Sequence, residues 1–187
     1  MMKRSTIYHD PTKFAGWPAN AGLFCWENEI LAAFHVGEYL DKPTGHKIDE
    51  QKPITIGLAR SLDGGDSWQV ELDNPVNRIN TEKPVPLPPE GIDFSHPGFA
   101  LKVGKASVTI LNSTFMVSYD RGHTWKGPYL LPDADGTLTP RTDYIVESES
   151  ACLLMLSRRT KGIPCRHFPD RAYAVRLEDR GRRWRFL

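Results

Sequence analysis

Four stretches of the 187-residue chain concentrate side chains able to hold or transform a small polar molecule. Residues 14–20 carry Trp17; residues 37–50 carry Tyr39, His46, Asp49 and Glu50; residues 93–97 carry Asp93 and His96; residues 141–144 carry Arg141, Asp143 and Tyr144. A guanidinium such as that of Arg141 presents a planar two-pronged donor to a carboxylate at any working pH. Asp49, Glu50 and Asp93 are acid/base candidates, and His46 and His96 can carry protons near neutrality. Trp17, Tyr39 and Tyr144 offer flat apolar faces with a polar tip, the surface that stacks on a sugar ring. Each residue also has a plainer use. Arg141 can pair with Asp143, the loop carboxylates and histidines can sit in solvent, and the aromatic rings can pack.

The elements that must position these loops announce themselves through a repeat. Ser61-Leu62-Asp63-Gly64-Gly65-Asp66-Ser67-Trp68 returns as Ser118-Tyr119-Asp120-Arg121-Gly122-His123-Thr124-Trp125, and again, degraded, as Leu177-Glu178-Asp179-Arg180-Gly181-Arg182-Arg183-Trp184. The three aspartates Asp63, Asp120 and Asp179 stand 57 and 59 residues apart. A period of this length marks one supersecondary unit repeated, each copy too small to bury a core alone. An Asp in a tight turn accepts backbone N–H bonds, Gly supplies a positive φ, a hydroxyl adds a local bond, and Trp anchors the turn in apolar surface. Strand-like runs precede each copy at residues 54–60, 114–117 and 172–176. The phrase is therefore a hairpin turn between two strands of a small antiparallel sheet.

The pattern Ser-x-Asp-x-Gly-x-Ser/Thr-Trp resembles the Asp-box, or BNR, repeat of sialidase-like β-propellers. The first two copies match it at every defining position, whereas the third has Leu177 for Ser and Arg183 for Ser/Thr. Phe14-Ala15-Gly16-Trp17-Pro18-Ala19-Asn20 and Arg141-Thr142-Asp143-Tyr144 also look like segments of the bacterial exo-α-sialidase-like group; residues 69–97 carry little such signal. The resemblance implies an all-β chain of three four-stranded blades, at about 14–75, 93–132 and 140–187. Their strands are expected near 22–27, 30–36, 54–60 and 68–72, then 98–103, 106–111, 114–118 and 125–130, then 142–147, 151–157, 171–177 and 184–187. Relatives of this kind close six blades, so the chain is expected to be an incomplete propeller, the N-terminal part of a longer protein. The alternative is a naturally short chain forming a homodimer through exposed blade flanks.

The same resemblance separates motif from site. In such a blade the Asp-box turn lies on the lower rim, so Ser61, Asp63, Gly65, Trp68, Ser118, Asp120, Gly122, Trp125, Asp179, Gly181 and Trp184 are expected to be structural. Loops entering the first strand and joining the second to the third open on the upper face. That assigns Asp49, Asp93 and Arg141 to catalysis, and Trp17, Tyr39, His46, His96, Arg141, Asp143 and Tyr144 to substrate binding. The Phe-Arg-Ile-Pro opening of well-studied sialidases is absent, since Phe14-Ala15-Gly16-Trp17-Pro18 has no arginine. The nucleophilic Tyr and its Glu partner come from later blades in that family. The expectation is a sialidase-like glycoside hydrolase fragment acting on terminal sugars of glycans, with a non-catalytic glycan-binding or scaffolding propeller as the alternative.

Composition narrows the partners. With 40% hydrophobic residues the chain can bury a core, and a net charge of +1 selects no polyanion. The tail is locally basic, from Arg158 to Arg185, but no nucleic-acid motif accompanies it, and solvated strand faces are the commoner use of such charge. Cys25, Cys152 and Cys165 make neither a complete disulfide set nor paired metal ligands, and Cys25 and Cys152 lie in apolar runs expected to bury them. No cofactor or metal motif is present. Residues 1–10 lack the apolar core of a signal peptide and no 18-residue apolar stretch occurs, so a cytoplasmic protein with a carbohydrate ligand, without membrane or nucleic-acid partners, is expected.

Overall fold

The computed structural model describes residues 4–105, 113–131, 136–139, 143–160 and 171–187. The chain divides into two compact units, residues 1–77 and 78–187. Both are built on antiparallel sheets, three in all among the described residues, and none closes into a barrel.

Unit 1 is one sheet. Its elements are β1 (Lys13–Gly16), α1 (Pro18–Ala21), β2 (Leu23–Trp26), β3 (Glu29–Glu38), β4 (Thr55–Ser61) and β5 (Gln69–Glu71), followed by α2 (Pro75–Ile79) at the junction with unit 2. β1 and β2 both pair with β3, Gly16 opposite His35 and Leu23 opposite Ala32, so they form one edge interrupted by α1. The interruption is written locally. Pro18 sits where a helix start tolerates a missing N–H, and Gly22 ends the turn at φ 116° while its N–H donates to the Pro18 carbonyl. The apolar run Leu31-Ala32-Ala33-Phe34 makes β3 buried on both faces, as a central strand requires. One face is covered by the chain's own N-terminal segment: Tyr8 stacks on Phe34 at 5.4 Å, and Trp68 Nε1 donates to Ser5 Oγ at 3.2 Å. Asn77 clamps α2 to β4, its Nδ2 donating to the Ile56 carbonyl and its Oδ1 accepting the Ile56 N–H, both at 2.8 Å.

Unit 2 holds two sheets. The second consists of β6 (Ala100–Lys105), β7 (Ser113–Ser118) and β8 (Lys126–Leu130); the third, of β9 (Gly136–Thr139), β10 (Tyr144–Ser148), β11 (Ala151–Thr160), β12 (Arg171–Glu178) and β13 (Arg183–Phe186). The third repeats the plan of the first, because β9 and β10 pair with the far and near halves of β11. In the second sheet β6 pairs directly with β7, from Ala100 opposite Ser118 to Lys105 opposite Ser113, so no strand lies between them. The strand expected at 106–111 lies outside the described residues. Period-two alternation puts Cys152, Leu154 and Leu156 of β11 with Val175 and Leu177 of β12 on one face, against Leu101, Val103, Phe115 and Val117 of the second sheet. On the other face of the third sheet Ile145 and Met155 are exposed.

The first two boxes share one hydrogen-bond plan. Ser61 Oγ donates to Asp63 Oδ1 at 2.7 Å and accepts the Gly65 N–H at 2.8 Å, while Ser67 donates its N–H (2.9 Å) and its hydroxyl (2.6 Å) to the two Asp63 oxygens. Ser118, Asp120, Gly122 and Thr124 reproduce these bonds at 2.7, 2.8, 2.8 and 2.6 Å. The Ser67 hydroxyl and N–H, with Ser61, hold the Asp63 carboxyl far below the usual carboxylate range. Burial opposes ionisation of Asp120 more than any one bond favours it, yet the bonds from Thr124 and Ser118 together hold its carboxyl low. Lacking both hydroxyls, the third copy is closed by backbone: Asp179, Arg180 and Gly181 take φ of 50°, 54° and 86°, and the N–H groups of Gly181 and Arg182 donate to the carbonyls of Glu178 and Asp179. Because Ser118 is buried and bonds both Asp120 and Gly122, Ser118→Ala is expected to cost about 1–2 kcal/mol, measured as a lower urea midpoint.

The cysteines and the basic tail have the following surroundings. Cys152 is buried, which pushes its thiol up to about 12, but Cys25 is exposed, because β2 turns it to the face opposite the buried Phe24. Among the described tail arginines, Arg176 holds Glu147 through two bonds of 2.8 Å, Arg180 holds Glu149, and Arg185 lies 3.2 Å from Glu178. Among the described residues no helix is long and apolar enough to cross a membrane.

Candidate functional site

At one end of the first sheet the chain enters β1 and the 39–54 loop leaves β3. The loop is pinned at its base. Tyr39 bridges Ile48, the Leu40 N–H donates to Lys47, and the Ile48 side chain is fully buried. Gly37 makes room for that plug, since a Cβ there would lie 2.7 Å from Ile48 Cδ1. The pinned loop carries His46 to Trp17, whose indole N–H donates to His46 Nε2 at 3.2 Å. Around this bond Phe14, Trp17, His35 and His46 form a continuous aromatic group, with Trp17 at 4.8 Å from Phe14, 5.5 Å from His35 and 4.9 Å from His46.

Trp17 is held in an unusual backbone. Its φ of 53° and ψ of 47° are left-handed, a region non-glycine residues rarely occupy, and it precedes a proline, which disfavours helical geometry further. Such a conformation persists where surrounding contacts impose it, and it recurs at functional positions. The bond to His46 and the packing on Phe14 are those contacts here.

The remaining polar groups of this end are already engaged. Asp49 Oδ1 accepts the Gln51 N–H at 3.0 Å and its own N–H donates to the Glu38 carbonyl, so Asp49 shapes the loop. Glu50 lies 3.6 Å from Lys42, Glu38 bonds Lys13 at 2.5 Å, and Lys47 bonds Asp41, holding the Asp41 carboxyl below its usual range. Tyr39 is exposed. The arrangement offers an aromatic surface rimmed by hydrogen-bonding groups. Among the described residues no cluster of three or more His, Cys, Asp or Glu is placed to hold a metal ion.

No family model matches the chain, and no curated relative does. Among solved structures, the crystal structure of a protein of unknown function from Dyadobacter fermentans DSM 18053 matches with a TM-score of 0.59 at 17% identity. The likeness is one of fold. It covers 97% of this chain and 52% of that one, so this chain spans about half the length of its structural neighbour.

The other sequence-derived candidates lie in unit 2 and part company. Asp93 and His96 precede β6 and arrive at the turn between β7 and β8, the box end of the sheet. There the Asp93 N–H donates to Tyr119 Oη at 3.2 Å, Asp93 Oδ1 accepts the Ser95 N–H, and the His96 ring meets the Tyr119 ring at 5.2 Å. His96 Nδ1 accepts the Gly98 N–H at 3.1 Å. Tyr144 is turned into the core: it packs on Phe99 and its hydroxyl accepts the Leu101 N–H at 3.3 Å, and burial pushes its pKa up to about 12. That environment makes Tyr144 a packing residue rather than a stacking surface. Asp143 is exposed, and its carbonyl takes the Met155 N–H. Arg141 lies outside the described residues. Sequence reasoning named Phe14 only as part of the 14–20 stretch and passed over His35 at the first sheet, and Tyr119, Lys126 and Tyr129 as site residues in unit 2. Phe14 and His35 had a signal, since alternation along β1 and β3 sets them beside Trp17.

Proposed function

We propose that this chain is part of a sialidase-like Asp-box β-propeller that recognises a carbohydrate at the Trp17–His46 end of the first sheet. The two matching boxes, with one bond plan, support successive blades, as does the split edge strand repeated in the first and third sheets. A fold match that this chain half-fills agrees with a propeller to which it contributes about half the blades. One observation carries the site: the left-handed, pre-proline Trp17, fixed by its indole bond to His46 beside Phe14. A rigid indole rimmed by polar groups is the surface that takes the C–H face of a sugar.

Recognition without turnover is favoured over hydrolysis. Asp49 is engaged by the Gln51 N–H within its own loop, Glu50 faces Lys42, and no arginine stands in residues 14–20. The test is a glycan array followed by affinity measurements on the best ligand, with fluorogenic sialosides and other glycosides assayed alongside. Trp17→Ala is expected to weaken binding about tenfold or more, and His46→Ala less, because it acts by holding the indole. No retained glycan, or undiminished affinity in Trp17→Ala, sinks the reading. Turnover abolished by Arg141→Ala would instead establish the hydrolase.

A further inference from the structure

Unit 2 contains a cleft of about 320 Å³ at the box end of its sheets, a volume at the lower edge of the small-molecule range of about 300–1,000 Å³. Its walls are fixed by main-chain bonds. The Ile92 N–H donates to the Arg180 carbonyl at 2.9 Å and the Asp93 N–H to Tyr119 Oη. Gly91, at φ 72°, lets the two segments touch, since a Cβ there would lie 2.6 Å from Arg180 Cβ and 2.8 Å from its carbonyl oxygen. The cleft is therefore formed before anything enters it.

Its polar groups are left with unused capacity. Tyr119 Oη accepts from Asp93, so its own proton remains to be donated. Tyr129 is 5% exposed and lines the cleft, and its hydroxyl is not one of the buried polar atoms that lack a partner among the described residues, so the little exposure it keeps is open to a ligand. Lys126 stands 5.3 Å over the Tyr119 ring and, among the described residues, has no carboxylate partner.

Charge and lining decide what that ligand is. Glu90 and Asp93 line the cleft with Lys126 and with Arg180, which already holds Glu149, so the lining carries both signs of charge and selects no ion of one sign. A sugar hydroxyl both donates and accepts, and so satisfies carboxylates, phenols and ammonium alike, while the tyrosine rings cover apolar ring carbons. We propose that this cleft is a binding site for an uncharged sugar of one or two rings, held by Tyr119, Tyr129, Lys126 and the Glu90 and Asp93 carboxylates. The site is separate from the Trp17–His46 surface and does not depend on it.

The test is an amide NMR titration of the full chain with maltose, lactose and cellobiose as neutral probes, and 3′-sialyllactose and glucose 6-phosphate as charged ones. Saturable shifts at Gly91, Asp93, Tyr119 and Tyr129 are expected with at least one neutral probe. Tyr129→Phe, which keeps the ring, should weaken that binding about fivefold with the rest of the spectrum unchanged. The proposal fails if no neutral probe shifts these amides, if a charged probe binds there more tightly, or if Tyr129→Phe leaves the affinity unaltered. Shifts confined to Trp17 and His46 would likewise overturn it, while leaving the reading of the first sheet intact.

Discussion

Replacing Phe115 with alanine is expected to destabilise unit 2 by about 3–5 kcal/mol, the cost of emptying a closed aromatic site. Phe115 is fully buried at the centre of β7, with Val103 and Tyr129 as its cross-strand neighbours. Its ring lies 5.4 Å from Tyr129 and meets Trp184 edge-on at 5.7 Å, so it joins the second sheet to the Trp of the third, degraded box. The packing explains why Trp184 survives in a box that has lost both hydroxyls, since the ring serves the core even where the turn has changed its bonds. Against a total stability of about 5–15 kcal/mol for an ordinary domain, the loss is a large fraction. It should appear in urea titrations as a lower midpoint at similar slope, with Phe115→Leu losing much less. Sugar-induced shifts at Tyr129 should vanish in the alanine variant, because the ring behind that residue is gone. A loss under about 1 kcal/mol would mean that the core closes around the gap.

What could be read from the chain follows the range of each interaction. The boxes were legible because their bonds run between residues two to four apart, and a pattern of Ser, Asp, Gly and Ser/Thr names them directly. The meeting of Trp17 with His46 was legible too, since strand parity places the entry of a sheet's first strand and its second-to-third loop at one end. The same parity misled at Asp93 and His96. An upper-face position for them assumes that β6 starts at the end of the sheet away from the box turn, whereas Ala100 stands opposite Ser118. Because β6 pairs with β7 directly, the segment arrives beside Tyr119 of the second box. β1 and β9 escaped notice because they are four residues long and act only as the far halves of interrupted edges. Tyr144 looked like a loop aromatic. Its burial depends on Phe99 and Leu101, residues more than forty positions away.

Lys102 shows the limit of alternation most clearly, and its burial is expected to make stability depend on pH. Its neighbours Leu101 and Val103 point into the core, so a period-two reading gives Lys102 to solvent. The structure leaves it 2% exposed, opposite Met116 and on the face of the fully covered Thr114, because the second sheet is buried on both sides. Burial lowers its pKa from 10.5 to about 8. The unfolded chain keeps that proton up to its ordinary value, whereas the folded chain releases it near 8, so between the two the unfolded state binds more protons and stability rises with pH. Below that window the penalty is present in full, on the order of 3 kcal/mol. Cys152 and Tyr144, whose pKa values burial raises from 9.0 and 10.0 to about 12, give the opposite slope only from near those ordinary values upward. Urea midpoints from pH 7 to about 8.5 therefore isolate the lysine: the wild-type midpoint should climb, and that of Lys102→Met should stay flat. A wild-type midpoint that stays flat over this range, or a variant that keeps the slope, would overturn the assignment of the pH dependence to Lys102.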